Sequence, residues 1–225
     1  MKPVIIIRPE PGCWATLAAG EEMGLEVQAH PLSEIHALPW SAPDPAMVDA
    51  LLIGSANALR HAGETLDAFA EMPVHAVGQA TAALAEAMGH PLASVGEGGL
   101  QSLIDALPVS YIRLLRLTGT EHVPLDLPPH VTLTTRVVYD SVSLPISEPL
   151  ALVLSGGALV LLHSAAAARH FAQECDRLAL PRSAIAIAAL GPRIASAAGT
   201  GWADCRSAPS PNDPALLALA KEMCH

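Results

Sequence analysis

The chain has 225 residues, of which 51% are apolar and 15% are charged, so we expect it to bury a substantial core and do not expect disorder. Its formal net charge is -10 with only 12 Lys and Arg, which argues against a nucleic-acid partner because a phosphate backbone needs a basic face. An anionic ligand would have to be held by local dipoles and a few arginines. The four cysteines form no CxxC pair and the histidines show no metal-binding spacing, so neither a disulfide nor a metal site is predicted.

Two apolar stretches are too short or too interrupted to cross a membrane. The run VIII at 4–7 is stopped by Arg8 and Pro9 and is too short for a signal peptide. The stretch 150–168 is broken by Ser155-Gly156-Gly157 and predicts a buried helix, a turn and a buried strand, whereas a span needs about 20 apolar residues. We therefore expect a cytoplasmic protein without a membrane partner.

Short apolar runs alternate with stretches of helical periodicity along the chain. The run 4–8 predicts a buried strand, and the helix that follows the turn PEPG ends near Met23. The last helix is indicated by Asn212-Asp213 as a cap and by Pro214 in its first turn. This alternation indicates parallel sheets with right-handed crossovers. Further strands are predicted at 25–30, 50–53, 74–77, 111–117, 131–142, 158–162 and 184–189, and further helices at 80–88, 100–107 and 165–175.

Two pairs of segments resemble each other although they lie about 110 residues apart. LLIGSANALRHA at 51–62 matches VLLHSAAAARHF at 160–171, and HAVGQATAALAEAMGHP at 75–91 matches IAALGPRIASAAGTGW at 187–202. Each segment is a strand, a turn centred on Ser or Gly, and a helix. The chain is therefore predicted to be an α/β protein of two doubly wound parallel-sheet lobes with a cleft between them.

The segments 31–46 and 134–147 match neither lobe and indicate connectors. The first contains four prolines, and the second alternates like a strand up to Pro145. If the two pair, they form a two-stranded β connector that the chain crosses twice, which makes the first lobe discontinuous. Composition alone also allows a domain boundary near residue 110. The predicted division is lobe 1 at 1–33 and 146–225, and lobe 2 at 38–134.

In doubly wound sheets, ligands bind outside the carboxyl ends of the strands, against helix N-termini. Such turns present unpaired backbone N–H groups and the positive end of a helix dipole, which favour anions. None is a GxGxxG or a P-loop, and matched turns on two lobes favour a ligand with several separated carboxylates or phosphates. An ordinary helix cap is the alternative for each turn. The candidate binding residues are Ser55, Ala56, Asn57, Gly78, Gln79, Thr81, Thr118, Gly119, Ser164, Ala165, Gly191 and Arg193.

Two further residues are candidates because of where they stand. Tyr139 lies in the second connector, beside the predicted cleft, where its phenol could donate a proton to a leaving oxygen; packing is the alternative. Arg8 ends the first strand and could bind a carboxylate with two hydrogen bonds or form an internal salt bridge. His163 and Ser164 are adjacent, so they point to opposite faces and do not indicate a nucleophilic pair.

Taken in order, these segments resemble the uroporphyrinogen-III synthase family over nearly the whole chain. No segment is specific alone, but their order and spacing are. The family often has Thr-Ser before the helix, where this chain has Gly54-Ser55 and His163-Ser164. The resemblance is found in VIIIRPEPG, LLIGSANALR, HAVGQATAALAEAMG, RLLRLTGTEHVPL, RVVYDSV, LVLLHSAAAARHF, AALGPRIASAAGTGW and APSPNDPALLALA.

The resemblance implies two flavodoxin-like lobes joined by a two-stranded ladder, and an enzyme of heme and tetrapyrrole biosynthesis. The substrate would be hydroxymethylbilane, a linear tetrapyrrole with eight carboxylates. It would be cyclised with loss of water and inversion of the terminal pyrrole to uroporphyrinogen III, without a metal or organic cofactor. The resemblance places the proton donor at Tyr139 and equivalent binding residues at Ser55, Thr81 and Ser164.

Two alternatives remain open from the sequence. One is a non-catalytic, two-lobed protein that binds a small anion, and the other is a degenerate family member that serves as an interaction module. The oligomeric state is also open, and a monomer is compatible with the sequence.

Overall fold

The structure is a computed structural model that describes residues 2–96 and 99–224. It divides into two compact units, the first formed by Met1–Glu34 with Val142–His225 and the second by Ile35–Ser141. Within the described residues, no helix is both long and apolar enough to pass through a lipid bilayer.

Strands and helices alternate as the sequence predicts. The strands are β1 (Val4–Ile6), β2 (Val27–Ala29), β3 (Ser33–Ala37), β4 (Ala50–Ile53), β5 (Val74–Val77), β6 (Leu92–Gly96), β7 (Arg113–Gly119), β8 (Thr132–Ser143), β9 (Leu159–Leu162), β10 (Ala186–Ala189) and β11 (Asp204–Ser207). The helices are α1 (Gly12–Glu22), α2 (Ala56–His61), α3 (Gln79–Ala87), α4 (Leu100–Asp105), α5 (Glu148–Ser155), α6 (Ala165–Arg177), α7 (Pro192–Ala198) and α8 (Asp213–Met223).

The sheet of the first unit is parallel throughout, with strand order β11-β10-β9-β1-β2. Successive residues of a strand point to opposite faces, so each central strand supplies both faces with apolar side chains. Ile5 and Val160 pack with Phe171 of α6 on one face. Val4 and Leu161 pack on the other face with helices α1 and α8. Helices on both faces make this a doubly wound unit.

The second unit repeats this architecture around the strand order β3-β8-β7-β4-β5-β6, in which the pairs from β8 to β6 are parallel. Leu51 and Leu115 pack on one face of the sheet with Ala58 of α2 and Phe69. Leu52 packs on the other face with α4. The predicted fold class, two parallel α/β lobes with a two-stranded connector, is confirmed.

The edge strand β3 is antiparallel to β8. Leu38 N–H donates to the carbonyl of Val138 (2.8 Å) and Leu144 N–H donates to the carbonyl of Leu32 (2.9 Å), so the partner numbers run in opposite directions. The boundary between the units falls inside both strands, after Glu34 in β3 and after Ser141 in β8. The chain therefore passes from one unit to the other through this ladder in both directions.

A buried carboxylate fixes the chain just after β8, within the first unit. Glu174 of α6 accepts a hydrogen bond from Ile146 N–H (2.8 Å) and two, each 2.6 Å, from the Arg177 guanidinium. The Glu174 side chain is only 10% exposed. Arg177 foremost, and the Ile146 N–H, lower the pKa of Glu174 to about 2 against the effect of burial.

We predict that Glu174→Gln lowers the free energy of unfolding near pH 7 by about 1–3 kcal/mol, because it removes the charge that these donors stabilise. A carboxyl with a lowered folded-state pKa stabilises the protein above its unfolded value, 4.5, and that contribution disappears as the pH falls toward about 2. Chemical denaturation at several pH values should show the difference between wild type and variant shrinking in acid. Glu26→Gln, at an exposed position, is the control. A difference that does not change with pH would contradict this account.

Candidate functional site

The two Ser-centred turns adopt the same structure in the two units. Ser55 follows β4 and its hydroxyl accepts a hydrogen bond from Asn57 N–H (3.2 Å) at the start of α2. Ser164 follows β9 and accepts from Ala167 N–H (3.1 Å) at the start of α6. Both serines therefore act as helix caps, which was the alternative considered for these turns. A cap of this kind satisfies one of the first N–H groups of a helix, and the others in the first turn remain available to a ligand.

The two Gly-centred turns also stand at the carboxyl ends of strands. Gly78 follows β5 with φ +77°, a conformation that favours glycine, and Gly191 follows β10 and precedes α7. Gln79 and Arg193 are exposed beside these turns, whereas Thr81 is only 4% exposed. Thr81 thus offers the least surface to a ligand among these predicted residues.

The third type of turn, at Thr118-Gly119-Thr120, differs from the prediction. We expected a helix N-terminus after β7, but residues 120–131 form no helix. Three prolines in this segment, at 124, 128 and 129, disfavour one. Thr120 N–H is also not free, because it donates to the carbonyl of Tyr139 (3.1 Å). Thr118 and Gly119 therefore have no helix dipole to offer an anion, and the prediction of one at this turn was wrong.

Tyr139 of β8 is held against the end of β7. Its ring lies over Gly119, where a Cβ atom would come within 2.6 Å of Cε2 and 3.0 Å of the phenol oxygen. The His61 ring is a further neighbour, with centroids 6.3 Å apart. The residue is half-buried, and no other described residue forms a hydrogen bond with its hydroxyl. The phenol is therefore positioned by packing and keeps its proton available to a ligand.

Arg8 forms the internal salt bridge that the sequence left open. Its Nη1 donates to Oδ2 (2.9 Å) and Oδ1 (3.2 Å) of Asp213, the first residue of α8, and lies 3.2 Å from the Thr16 hydroxyl. The Arg8 side chain is 31% exposed. Among the described residues, Nε and Nη2 have no hydrogen-bond acceptor. Arg8 therefore retains one edge with two N–H donors, the arrangement that binds a carboxylate with two hydrogen bonds.

Sequence reasoning did not identify two neighbours of Arg8 as site residues. Asp213 was interpreted only as part of a helix cap, although it also meets a side chain 205 residues away. His163 was considered only as a partner of Ser164, whereas its Nε2 lies 3.4 Å from Oδ1 of Asp213. A short motif cannot indicate contacts between residues so far apart in sequence. The altered Thr-Ser pair, with His at 163, was the one available indication.

A cavity of about 310 Å³ lies in the second unit and borders the Gly78 turn, because Gly96 in its lining accepts a hydrogen bond from Gly78 N–H (2.8 Å). Its described lining includes His75, Ser94 and Tyr111, and it borders α4 at Leu103. Nδ1 of His75 is hydrogen-bonded to the Ser94 hydroxyl (2.7 Å). No predicted site residue is among the described residues that line it.

Two doubly wound parallel sheets, each with capped helix starts at the carboxyl ends of its strands, define an α/β protein suited to binding an anionic ligand. A sequence model of the family described as uroporphyrinogen-III synthase HemD matches residues 15–218. The chain belongs to the uroporphyrinogen-III synthase family.

Solved structures of family proteins share the fold. The uroporphyrinogen-III synthetase of Helicobacter pylori is 18% identical, with a TM-score of 0.67 over 99% of this chain and 100% of that one. A mutant uroporphyrinogen III synthase of the extremely thermophilic bacterium Thermus thermophilus is also 18% identical, with a TM-score of 0.62 over 100% of this chain and 99% of that one. No curated protein matches the sequence. The family assignment therefore rests on the sequence model, and the structures bear on the fold.

We predict that Gly119→Ala displaces the Tyr139 ring, because the added methyl group would overlap Cε2 and Cζ. Overpacking of this kind costs about 1–3 kcal/mol, so the variant should fold with somewhat lower stability. Ring resonances of Tyr139 in NMR spectra should shift, while those of Tyr111, whose ring packs against His75, should not. Unchanged Tyr139 resonances would contradict the packing described here.

Proposed function

We infer that the chain is a uroporphyrinogen-III synthase, a lyase that cyclises hydroxymethylbilane with loss of water and inversion of the terminal pyrrole ring. The observation that supports this inference most is the family match, which spans residues 15–218 of the 225. The shared fold covers 99–100% of the chain. The reaction belongs to heme and tetrapyrrole biosynthesis.

The substrate's eight carboxylates would be bound mainly by the carboxyl ends of the two sheets. The chain carries a net charge of -10, so its overall field repels such a ligand. Unpaired N–H groups at helix starts act only over short distances and attract anions irrespective of net charge. The starts of α6 and α3 supply such groups in different units, beside Ser164 and Gly78. Ala56, Ala165 and Gly191 would contribute backbone N–H groups in the same way, and Asn57 and Gln79 their side-chain amides as well.

Tyr139 would donate a proton to the hydroxyl that leaves the substrate. Its phenol has no acceptor among the described residues and is held by Gly119. Departure of hydroxide from the electron-rich pyrrole becomes easier when the oxygen leaves as water. A positioned acid of this kind contributes roughly 10²- to 10⁴-fold to the rate.

The larger task is conformational. Unaided ring closure gives the uninverted isomer, so the enzyme must hold the two ends of the chain in a bent arrangement that favours attack at the substituted carbon of the last pyrrole. Many weak contacts between carboxylates and helix starts can fix such an arrangement. The cytoplasmic location, the oligomeric state and the lack of a nucleic-acid partner stay predictions.

The purified protein should convert hydroxymethylbilane into the type III isomer faster than the spontaneous reaction gives isomer I. Separation of the oxidised products by chromatography measures both. A two-lobed protein that only binds anions would share the fold but leave the isomer ratio unchanged, as would a family member that serves as an interaction module. Formation of isomer I alone, at the spontaneous rate, would contradict the inference that the protein is this enzyme.

We predict that Tyr139→Phe lowers kcat on the order of 10²-fold and leaves the fold and KM nearly unchanged, because the ring remains and only the acid is lost. Initial rates and a thermal melt measure the two effects. Tyr111→Phe is the matched control, since that ring packs against His75 instead. An unchanged kcat in the Tyr139 variant would show that another group protonates the leaving oxygen.

A further inference from the structure

Four side chains from separate parts of the first unit form one cluster, which we call the Arg8 cluster: Arg8, Thr16, His163 and Asp213. Arg8 follows β1, Thr16 belongs to α1, His163 directly follows β9, and Asp213 begins α8. Besides its contacts with Arg8, Oδ2 of Asp213 lies 2.7 Å from the Thr16 hydroxyl. The cluster thus lies where β1 and β9 end, the edge at which doubly wound sheets bind ligands.

The glycine at position 12 leaves room for the guanidinium of Arg8. A Cβ atom at this position would come within 2.5 Å of Nε and 2.7 Å of Nη2 of Arg8. These are the two nitrogens that no described residue accepts from, whereas Nη1 is committed to Asp213. Asp213 therefore fixes one side of the guanidinium, and Gly12 gives its Nε and Nη2 atoms room to rest against the start of α1.

His163 is the member of the cluster without a satisfied hydrogen bond. Its side chain is only 7% exposed, and neither ring nitrogen has a hydrogen-bond partner among the described residues. Its Nε2 lies 3.4 Å from Oδ1 of Asp213, close enough for an ion pair if the ring becomes protonated. A buried imidazole left unpaired costs free energy. A small approach would let Nε2–H donate to Asp213, and the protonated ring adds an ion pair to that hydrogen bond.

We propose that His163 takes up a proton when a substrate carboxylate binds the free edge of Arg8. The protonated ring then forms an ion pair with Asp213, and Asp213 in turn positions Arg8. The identity of the ligand rests on the proposed function. His163 is a positioning residue in this proposal and does not touch the substrate.

A count of charges explains the coupling. In the free protein, the Arg8 cation and the Asp213 anion cancel, and burial favours the neutral form of His163. A bound carboxylate adds one negative charge, which protonation of His163 neutralises. The charged groups that act on His163 are Asp213 and Arg8; Thr16 is neutral, and residues 165–168 of α6 carry no charge. Burial lowers the pKa of His163, Asp213 partly opposes this, and the Arg8 cation lowers it further. A ligand that neutralises Arg8 must therefore raise this pKa.

Because binding and protonation of His163 favour each other, the affinity for the carboxylate depends on pH. It falls by up to tenfold per pH unit between the pKa of His163 in the ligand-free protein and the higher pKa in the ligand-bound protein. Outside that interval His163 contributes no pH dependence. An affinity that rises with pH would instead require that binding release a proton.

The first test needs no substrate. Arg8→Gln removes the positive charge as a bound carboxylate would, so the pKa of His163, followed by NMR of its Cε1–H proton, should rise by about one unit or more. Asp213→Asn should lower it. A His163 pKa that neither variant moves would overturn the proposal, whatever the enzyme does with its substrate.

The second test uses uroporphyrin III, an octacarboxylate that is the oxidised form of the product, as a stable probe. Calorimetry in buffers of different ionisation enthalpy, from about pH 5 to about pH 8, counts the protons taken up on binding. The wild type should take up as much as one proton more than His163→Gln, while His130→Gln, at an exposed position, should match the wild type. Gly12→Ala should weaken binding at every pH, because its methyl group would displace the Arg8 guanidinium.

Equal proton uptake by wild type and His163→Gln would overturn this proposal. If the same preparation still forms the type III isomer, the proposed function stands and only the role of His163 fails. If it forms isomer I alone, the proposed function fails instead, and the NMR test still decides whether His163 and Arg8 are coupled.

Discussion

The parallel pairing of strands in each unit is the constraint on which the site depends. Parallel strands bring all their carboxyl ends to one edge, and the helices that follow begin there with N–H groups that the helix cannot pair. The central strands, such as β4 and β9, are fully buried and carry apolar residues on both faces. This packing is needed to hold that edge rigid. Binding by backbone groups places few demands on side-chain identity. This is consistent with a shared fold at 18% identity to the solved family structures.

The scarcity of positive charge makes this reliance on the backbone stronger. Of the few arginines, several are already committed to structural contacts, as Arg113 is to Asp49 (2.6 Å) and Arg182 to Asp176 (2.8 Å). Arg8 differs because its contact with Asp213 uses only one of its nitrogens. Arg193 is exposed and forms no hydrogen bond or ion pair with another described residue. A polyanionic ligand therefore meets few mobile cations and many fixed dipoles, which favours one bound shape over indiscriminate attraction.

Much of the fold could be predicted because caps and apolar runs mark the central elements. Predicted strands at 50–53 and 74–77 agree with β4 and β5 at both ends, and the cap at Asn212 is the one observed. The edge strands β6 and β11 were not predicted. Their residues are mostly half-buried or exposed, so no strong apolar pattern marks them, and their conformation comes from pairing with β5 and β10. The Ser turns could be predicted from local sequence, whereas the Arg8 cluster could not, because Asp213 and His163 meet Arg8 only in the folded unit.

Two glycines show how the fold prepares side chains for function without strained backbone. Neither Gly12 nor Gly119 has a positive φ, so conformational freedom does not explain them. At both positions a Cβ would lie within 2.7 Å of a candidate functional side chain, the Arg8 guanidinium or the Tyr139 ring. Each glycine lets the backbone of one element serve as the surface on which that side chain rests. The positions of the cation and the phenol are thus set by helix α1 and strand β7, which are rigid, and this lowers the entropy that substrate binding would otherwise have to overcome.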